Sequence, residues 1–132
     1  MKALDTTVLL AILEGDKASR ALLRRLRGIE IATTEANMLE LAFLAVRAPK
    51  PRRGARLVDL ERMRRKLTVI PIDPAAVREG SKALAAHSTA TPPISTWAML
   101  GALEAAGCDE LITSDPGRIQ GKWRFKLTRF GK

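Results

Sequence analysis

Cysteine is almost missing from this 132-residue chain, which has only Cys108. One thiol excludes an internal disulfide and a cysteine-rich zinc site, and leaves Cys108 as a small buried apolar residue. Histidine is equally scarce, with His87 alone in "AAHSTA" at an expected helix end. Contact with the helix dipole accounts for it there, and with no second histidine or serine constellation there is no acyl-transfer triad. No long apolar run occurs, and Asp5 interrupts "MKALDTTVLLAILEG", where a secretory signal would be uninterrupted. The expectation is a soluble cytoplasmic protein, without a membrane, forming one domain over residues 1–132. Acids are also few, 14 against 23 lysines and arginines, for a net charge of +9. Such an excess suits a polyanionic partner, nucleic acid before anionic membrane, although arginine-rich solvated helices account for it equally well.

Short apolar or alternating stretches are separated by helical patterns. "KAL" reads as a very short strand, and "TVLLAILEG" as a helix stopped at Gly15. "ASRALLRRLRG" is a second helix with Leu22, Leu23 and Leu26 inward and Arg20, Arg24, Arg25 and Arg27 outward. "IEIAT" alternates as a strand, and a helix from Glu35 to Arg47 follows, apolar almost all round. "APKPRRG" is expected to break the helical pattern before "ARLVDLERMRRK" resumes it. "LTVIPI" is a buried strand, and Asp73-Pro74 opens another helix as cap and first residue. "TPPIST" precedes the helix "WAMLGALEAAG", with Ser95 or Thr96 as its expected cap. "ELITS" and "KWRFKLT" then read as strands, with Asp115-Pro116 as a further cap between them. Strands separated by helices imply right-handed crossovers and a parallel sheet covered on both faces, with its site outside the carboxyl ends of the strands.

Three acids map to that rim. Asp5 follows the first strand, Asp115 follows "ELITS", and Glu40 lies one to two turns into the helix after the second strand. Glu40 is the only charge between Glu35 and Arg47. A carboxylate taken from water costs several kcal/mol unless compensated, so Glu40 either reaches solvent or has a partner. Asp5 and Asp115 are each explained by helix capping alone, but Glu40 is not. Its alternatives are an arginine ion pair or a shared cation, and convergence of all three acids favours the cation. Hard oxygen ligands select Mg2+ or Mn2+ over zinc, and such an ion can hold a phosphodiester and acidify a water.

The stretches "LDTTVLL", "TEANMLEL" and "LITSDPGRI", in this order along nearly the whole chain, resemble the motifs of PIN-domain nucleases. The resemblance implies a PIN-like three-layer α/β/α sandwich with a parallel sheet of four to five strands. It also implies a magnesium-dependent endoribonuclease that hydrolyses RNA phosphodiester bonds, often the VapC-type toxin of a type II toxin–antitoxin pair. Asp5, Glu40 and Asp115 would then be its catalytic metal-site acids. Two positions depart from the family pattern. Thr7 stands where the family usually has Asn, and Thr96 stands where it has an acid at the start of the penultimate helix. A hydroxyl adds no charge, so metal affinity should fall. The alternative is a catalytically impaired PIN-like module that binds RNA or a protein partner without cleavage.

Other side chains have two readings each. Asn37, one turn before Glu40, serves Glu40 or a water, or simply marks a polar helix boundary. Glu104 lies two turns beyond Thr96, too far to replace the missing acid, while Asp109 and Glu110 read as solvated loop. Arg52, Arg53 and Arg56, with Arg62, Arg64 and Arg65 beyond, form an expected phosphate-contacting arm. Lys122, Arg124 and Lys126 share one face of the last strand, placing Lys122 and Arg124 beside RNA or merely guarding an edge. Trp97 and Trp123 read as packing residues. On the Glu40 helix, Leu39, Phe43 and Val46 exceed one buried stripe, which marks a homodimer interface or the seat of an antitoxin peptide.

Overall fold

Ala3 and Leu4 are adjacent in the first strand, β1 (Lys2–Leu4), yet they pack into different cores. The same division separates Leu111 from Ile112 in β4 (Glu110–Thr113). Period-two alternation therefore sends neighbouring side chains to opposite faces, and both faces are covered. The computed structural model describes residues 1–86 and 93–131; His87 and the first residues of "TPPIST" lie outside them.

The remaining elements are α1 (Thr6–Glu14), α2 (Lys17–Arg25), β2 (Ile31–Thr34), α3 (Glu35–Val46), α4 (Lys50–Arg65), β3 (Thr68–Ile70), α5 (Pro74–Ala86), α6 (Ile94–Ala105) and β5 (Lys126–Arg129), with a 3-10 turn at Pro116–Arg118. The five strands are all parallel, in the order β3-β2-β1-β4-β5. One core joins Val8 and Leu9 of α1, Leu22 of α2, Leu41 of α3 and Leu60 of α4 to Leu4 and Ile112. The other joins Ala76 of α5 and Met99, Leu100 and Leu103 of α6 to Ala3, Ala32, Ile70 and Leu111. The result is the expected three-layer α/β/α sandwich with five parallel strands. Burying one such leucine contributes about 1.5–3 kcal/mol, so the two cores carry most of the stability.

The chain runs outward from β1 through β2 to β3, then crosses back to β4 on the other side of β1. The strand order reverses between β1 and β4, and that switch point opens a crevice beyond their carboxyl ends. Leu4 pairs with Ile112 in register, so Asp5 and the residues after Thr113 emerge side by side.

Where α5 meets α6, the helices approach backbone to backbone. A Cβ on Gly101 would stand 2.2 Å from the Ala76 carbonyl oxygen and 2.8 Å from Gly80 N. Neither glycine breaks its helix; each instead lets the two axes close.

Local readings depart from the structure at four places. The prolines of "APKPRRG" start α4 rather than break it, because Pro49 is its cap and Pro51 falls in the first turn, where no N–H is required. Leu23 is 38% exposed while Leu22 and Leu26 are buried, so the inward stripe of α2 is narrower than expected. Pro93 is the cap of α6, which places Ser95 and Thr96 inside its first turn. The last strand begins only at Lys126, because the backbone N–H of Arg124 donates to the buried Glu104 carboxylate at 3.0 and 3.2 Å instead of joining the sheet.

Candidate active site

Asp5 follows β1 with extended backbone and caps α1. Its Oδ1 accepts from Thr7 N at 3.1 Å, Val8 N at 3.3 Å and the Thr7 hydroxyl at 2.5 Å. All three donors use the same oxygen. Oδ2 is buried and, among the described residues, has no hydrogen-bond partner, in a residue that is 0% exposed. Arg118 of the 3-10 turn has its Nη2 3.7 Å from Oδ2, beyond hydrogen-bond range. The capping explanation therefore accounts for half of Asp5 and leaves the other half unexplained.

Thr7 does more than orient Asp5. Its hydroxyl oxygen also accepts from Ser114 N at 3.0 Å, tying the end of β1 to the residue before Asp115. Asp115 itself is exposed, and it makes no side-chain capping bond to the 3-10 turn it precedes. Its backbone N–H is held by the Thr113 hydroxyl at 3.2 Å. The expected cap is thus not formed, and the carboxylate is left facing solvent at the rim.

Glu40 is exposed on α3, and its Oε1 accepts from the Thr6 hydroxyl at 3.0 Å. Thr6 in turn accepts from Asn37 Nδ2 at 3.0 Å, and Asn37 Oδ1 accepts from the Thr34 hydroxyl at 2.7 Å. Asn37 therefore reaches Glu40 through Thr6 rather than directly. The chain of bonds runs from the end of β2 to the end of β1 and orients the acid. No arginine ion pair to Glu40 is found among the described residues. Thr96 is buried in the first turn of α6, with its backbone N–H on the Pro93 carbonyl. Met99, one turn further, accepts from Asn37 Nδ2 at 3.2 Å.

The rim thus brings Asp5 and Asp115 to adjacent strand ends and joins Glu40 to the same helix start through Thr6. Among the described residues, no three His, Cys, Asp or Glu side chains stand close enough together to form an ion-holding group. A divalent cation fits on one firm observation: a wholly buried carboxylate oxygen without a hydrogen bond is costly unless a cation faces it. The available donors are hard oxygens, which match Mg2+ or Mn2+. The fit rests on Asp5 rather than on a finished cage.

The basic residues divide. Arg52 is exposed, whereas Arg53 donates to the Ala48 carbonyl at 3.4 Å and, like Arg56, is half-buried. Arg64 and Arg65 pair with Glu61, and Arg62 lies 3.9 Å from Asp59. Lys122 is exposed; Arg124 Nε donates to Glu104 at 3.1 Å. Glu104 is a clamp for the segment before β5, a role that its place in the sequence does not reveal. Glu110 is not loop but strand, where it accepts from Thr128 and pairs with Lys2 at 3.0 Å. Sequence reasoning missed Thr6 and Arg118. Thr6 directly follows Asp5 and Arg118 stands three residues after Asp115, so adjacency to the acids was the only available signal.

A parallel sheet with acids beyond its switch point defines a class of α/β protein with an anionic rim. The chain belongs to the PIN-domain family, whose model matches residues 2–117. In fold it is similar to a chain of DNA-bound VapBC from Salmonella typhimurium, with a TM-score of 0.82, 15% identity and 98% of each chain covered. It is also similar to a chain of VapBC2 from Rickettsia felis bound to a promoter fragment, with a TM-score of 0.80, 14% identity and 98% coverage of each. VapC20 of Mycobacterium tuberculosis, described as a sarcin-ricin loop cleaving toxin, aligns with a TM-score of 0.62 at 14% identity over 84% of this chain and 87% of that one. No curated protein matches the chain in sequence. Among the described residues, no helix is long and apolar enough to cross a membrane.

Proposed function

We propose that this chain, as one PIN domain, is a cytoplasmic metal-dependent endoribonuclease that hydrolyses RNA phosphodiester bonds, the toxin of a type II toxin–antitoxin pair. The observation that carries the reading is the buried, unpartnered Oδ2 of Asp5 at the β1/β4 switch point. Asp5, Glu40 and Asp115 would hold one Mg2+ ion, or Mn2+ in its place. Bound there, such an ion neutralises phosphate charge and acidifies water. The chain's own residues do the positioning. Thr7 fixes the Asp5 rotamer and draws the Asp115 loop toward it. Thr6 and Asn37 hold Glu40. Arg52, Arg56 and Lys122 give the RNA backbone exposed or half-exposed positive charge.

An antitoxin partner is supported by the VapBC complexes among the fold relatives and by an apolar cleft of about 350 Å³ between α1, α2 and α4. Leu9, Ile12, Leu23 and Met63 line it, with Asp59 and Arg62 at its lip. The exposed face of α3, with Leu39 at 72% and Phe43 at 54% exposure, is the proposed homodimer surface. Asp5→Asn should abolish RNA cleavage while leaving circular dichroism and the unfolding transition cooperative. Cleavage equal to wild type in that variant removes the assignment.

A second reading has its own observation: Thr96 supplies a buried hydroxyl where the motif resemblance implies a charge. The domain would then grip RNA or protein without cutting. Thr96→Asp separates the two readings. A weakened nuclease gains activity and magnesium affinity, whereas a binding module gains neither.

A further inference from the structure

Among the described residues, Asp5 Oδ2 is buried without a hydrogen bond and has an arginine beside it that the motifs do not account for. We propose that Arg118 is the built-in counter-cation of Asp5 and competes with a divalent ion for Oδ2, so that this rim carries its own restraint on metal binding. The inference rests on the metal-site reading above and concerns how that site is regulated.

The geometry supports each part. Asp5 Oδ2 is wholly buried and accepts no hydrogen bond, because every local donor, Thr7 N, Val8 N and the Thr7 hydroxyl, converges on Oδ1. Arg118 Nη2 stands 3.7 Å away, which allows ionic attraction but not a hydrogen bond. The Arg118 side chain is 43% exposed and can swing into solvent, whereas Asp5 is wholly buried. The strongest arginine–carboxylate pairs are bidentate and short; this one, at 3.7 Å, is neither. Arg118 and Asp115 belong to the same turn, with Arg118 N donating to the Asp115 carbonyl at 3.1 Å. The guanidinium and a proposed ligand of the ion are therefore carried by one short turn. A guanidinium beside Oδ2 repels a second cation brought to the same oxygen, and that opposition is reciprocal.

The test uses the purified full chain and Mn2+ as the probe, with free Mn2+ read by electron paramagnetic resonance. Arg118→Gln is expected to bind Mn2+ about fivefold more tightly than wild type, at the low end of couplings between neighbouring sites. Arg118→Lys, which keeps the charge, should stay near wild type, and Asp5→Asn should lose the site. Unchanged affinity in Arg118→Gln, with binding still lost in Asp5→Asn, overturns the competition and leaves the metal site standing. No Mn2+ binding by any variant overturns the metal reading and the competition together. A second arm needs no metal. In chelator, Arg118→Gln should lower the urea midpoint of wild type but not that of Asp5→Asn; an equal shift in both backgrounds overturns the pairing itself.

Discussion

Replacing Asp5 by Asn should stabilise the protein in chelator, although Asp5 makes three hydrogen bonds. All three end on Oδ1, an oxygen that Asn retains, so the cap survives. What disappears is the charge on Oδ2, buried and without a hydrogen bond. Leaving a buried polar group unsatisfied costs about 1–3 kcal/mol, and more when it is charged. Arg118 offsets little of this, since partly exposed pairs are worth about 0–1 kcal/mol. The incoming amide also lacks a partner but is neutral, so the net gain should be about 1–2 kcal/mol. Asp5→Ala removes the charge and the cap together, and should fall below Asp5→Asn by about 1–2 kcal/mol. Urea denaturation of the three proteins in chelator measures both differences. Mg2+ at about ten times its dissociation constant should then add ~1.4 kcal/mol to wild type and nothing to the Asn variant. If Asp5→Asn is no more stable than Asp5→Ala, Oδ2 is not the strained group inferred here.

Three further outcomes follow from the packing and the titrating groups. Gly101→Ala should cost about 3 kcal/mol or more, because its Cβ would meet the Ala76 carbonyl at 2.2 Å; thermal denaturation reads this, and a loss confined to helix propensity refutes the close approach. Burial pushes the Cys108 thiol up to about 11, so a thiol-exchange reagent near pH 8 should label it only after unfolding. The Thr128 hydroxyl, and after it Lys2, hold Glu110 below its ordinary value of 4.5. A depressed folded pKa contributes stability above the ordinary value and loses it as pH falls through the folded one. Glu110→Gln should therefore trail wild type in melting temperature near neutral pH, and the gap should close in acid.

The layering and the rim were legible because they depend on local signals. Alternation at Ala3 and Leu4, the glycine stop at Gly15 and the Asp73-Pro74 start each act within a few residues. Glu40 stood out as a lone charge in an apolar helix, and the fold leaves it exposed with the Thr6 hydroxyl on its Oε1. What stayed hidden depends on contacts between distant segments. Nothing near Gly101 reveals that Ala76 will lie against it, and nothing near Arg124 reveals that Glu104 will capture its N–H. Asp115 preceding Pro116 looks like any cap, and only the missing bond distinguishes it. Arg118 counted as one more surface cation in a basic chain until the fold set it against Asp5. The prolines of α4 misled for a related reason: their effect depends on whether the helix has already begun.

The central claim is that carboxylates at the β1/β4 rim bind a divalent ion that RNA cleavage requires. A magnesium titration of cleavage by the wild-type chain, on a long single-stranded RNA, tests it most directly. The account predicts cleavage that saturates with Mg2+, vanishes in chelator and returns with Mn2+. Cleavage that persists undiminished in chelator would contradict it.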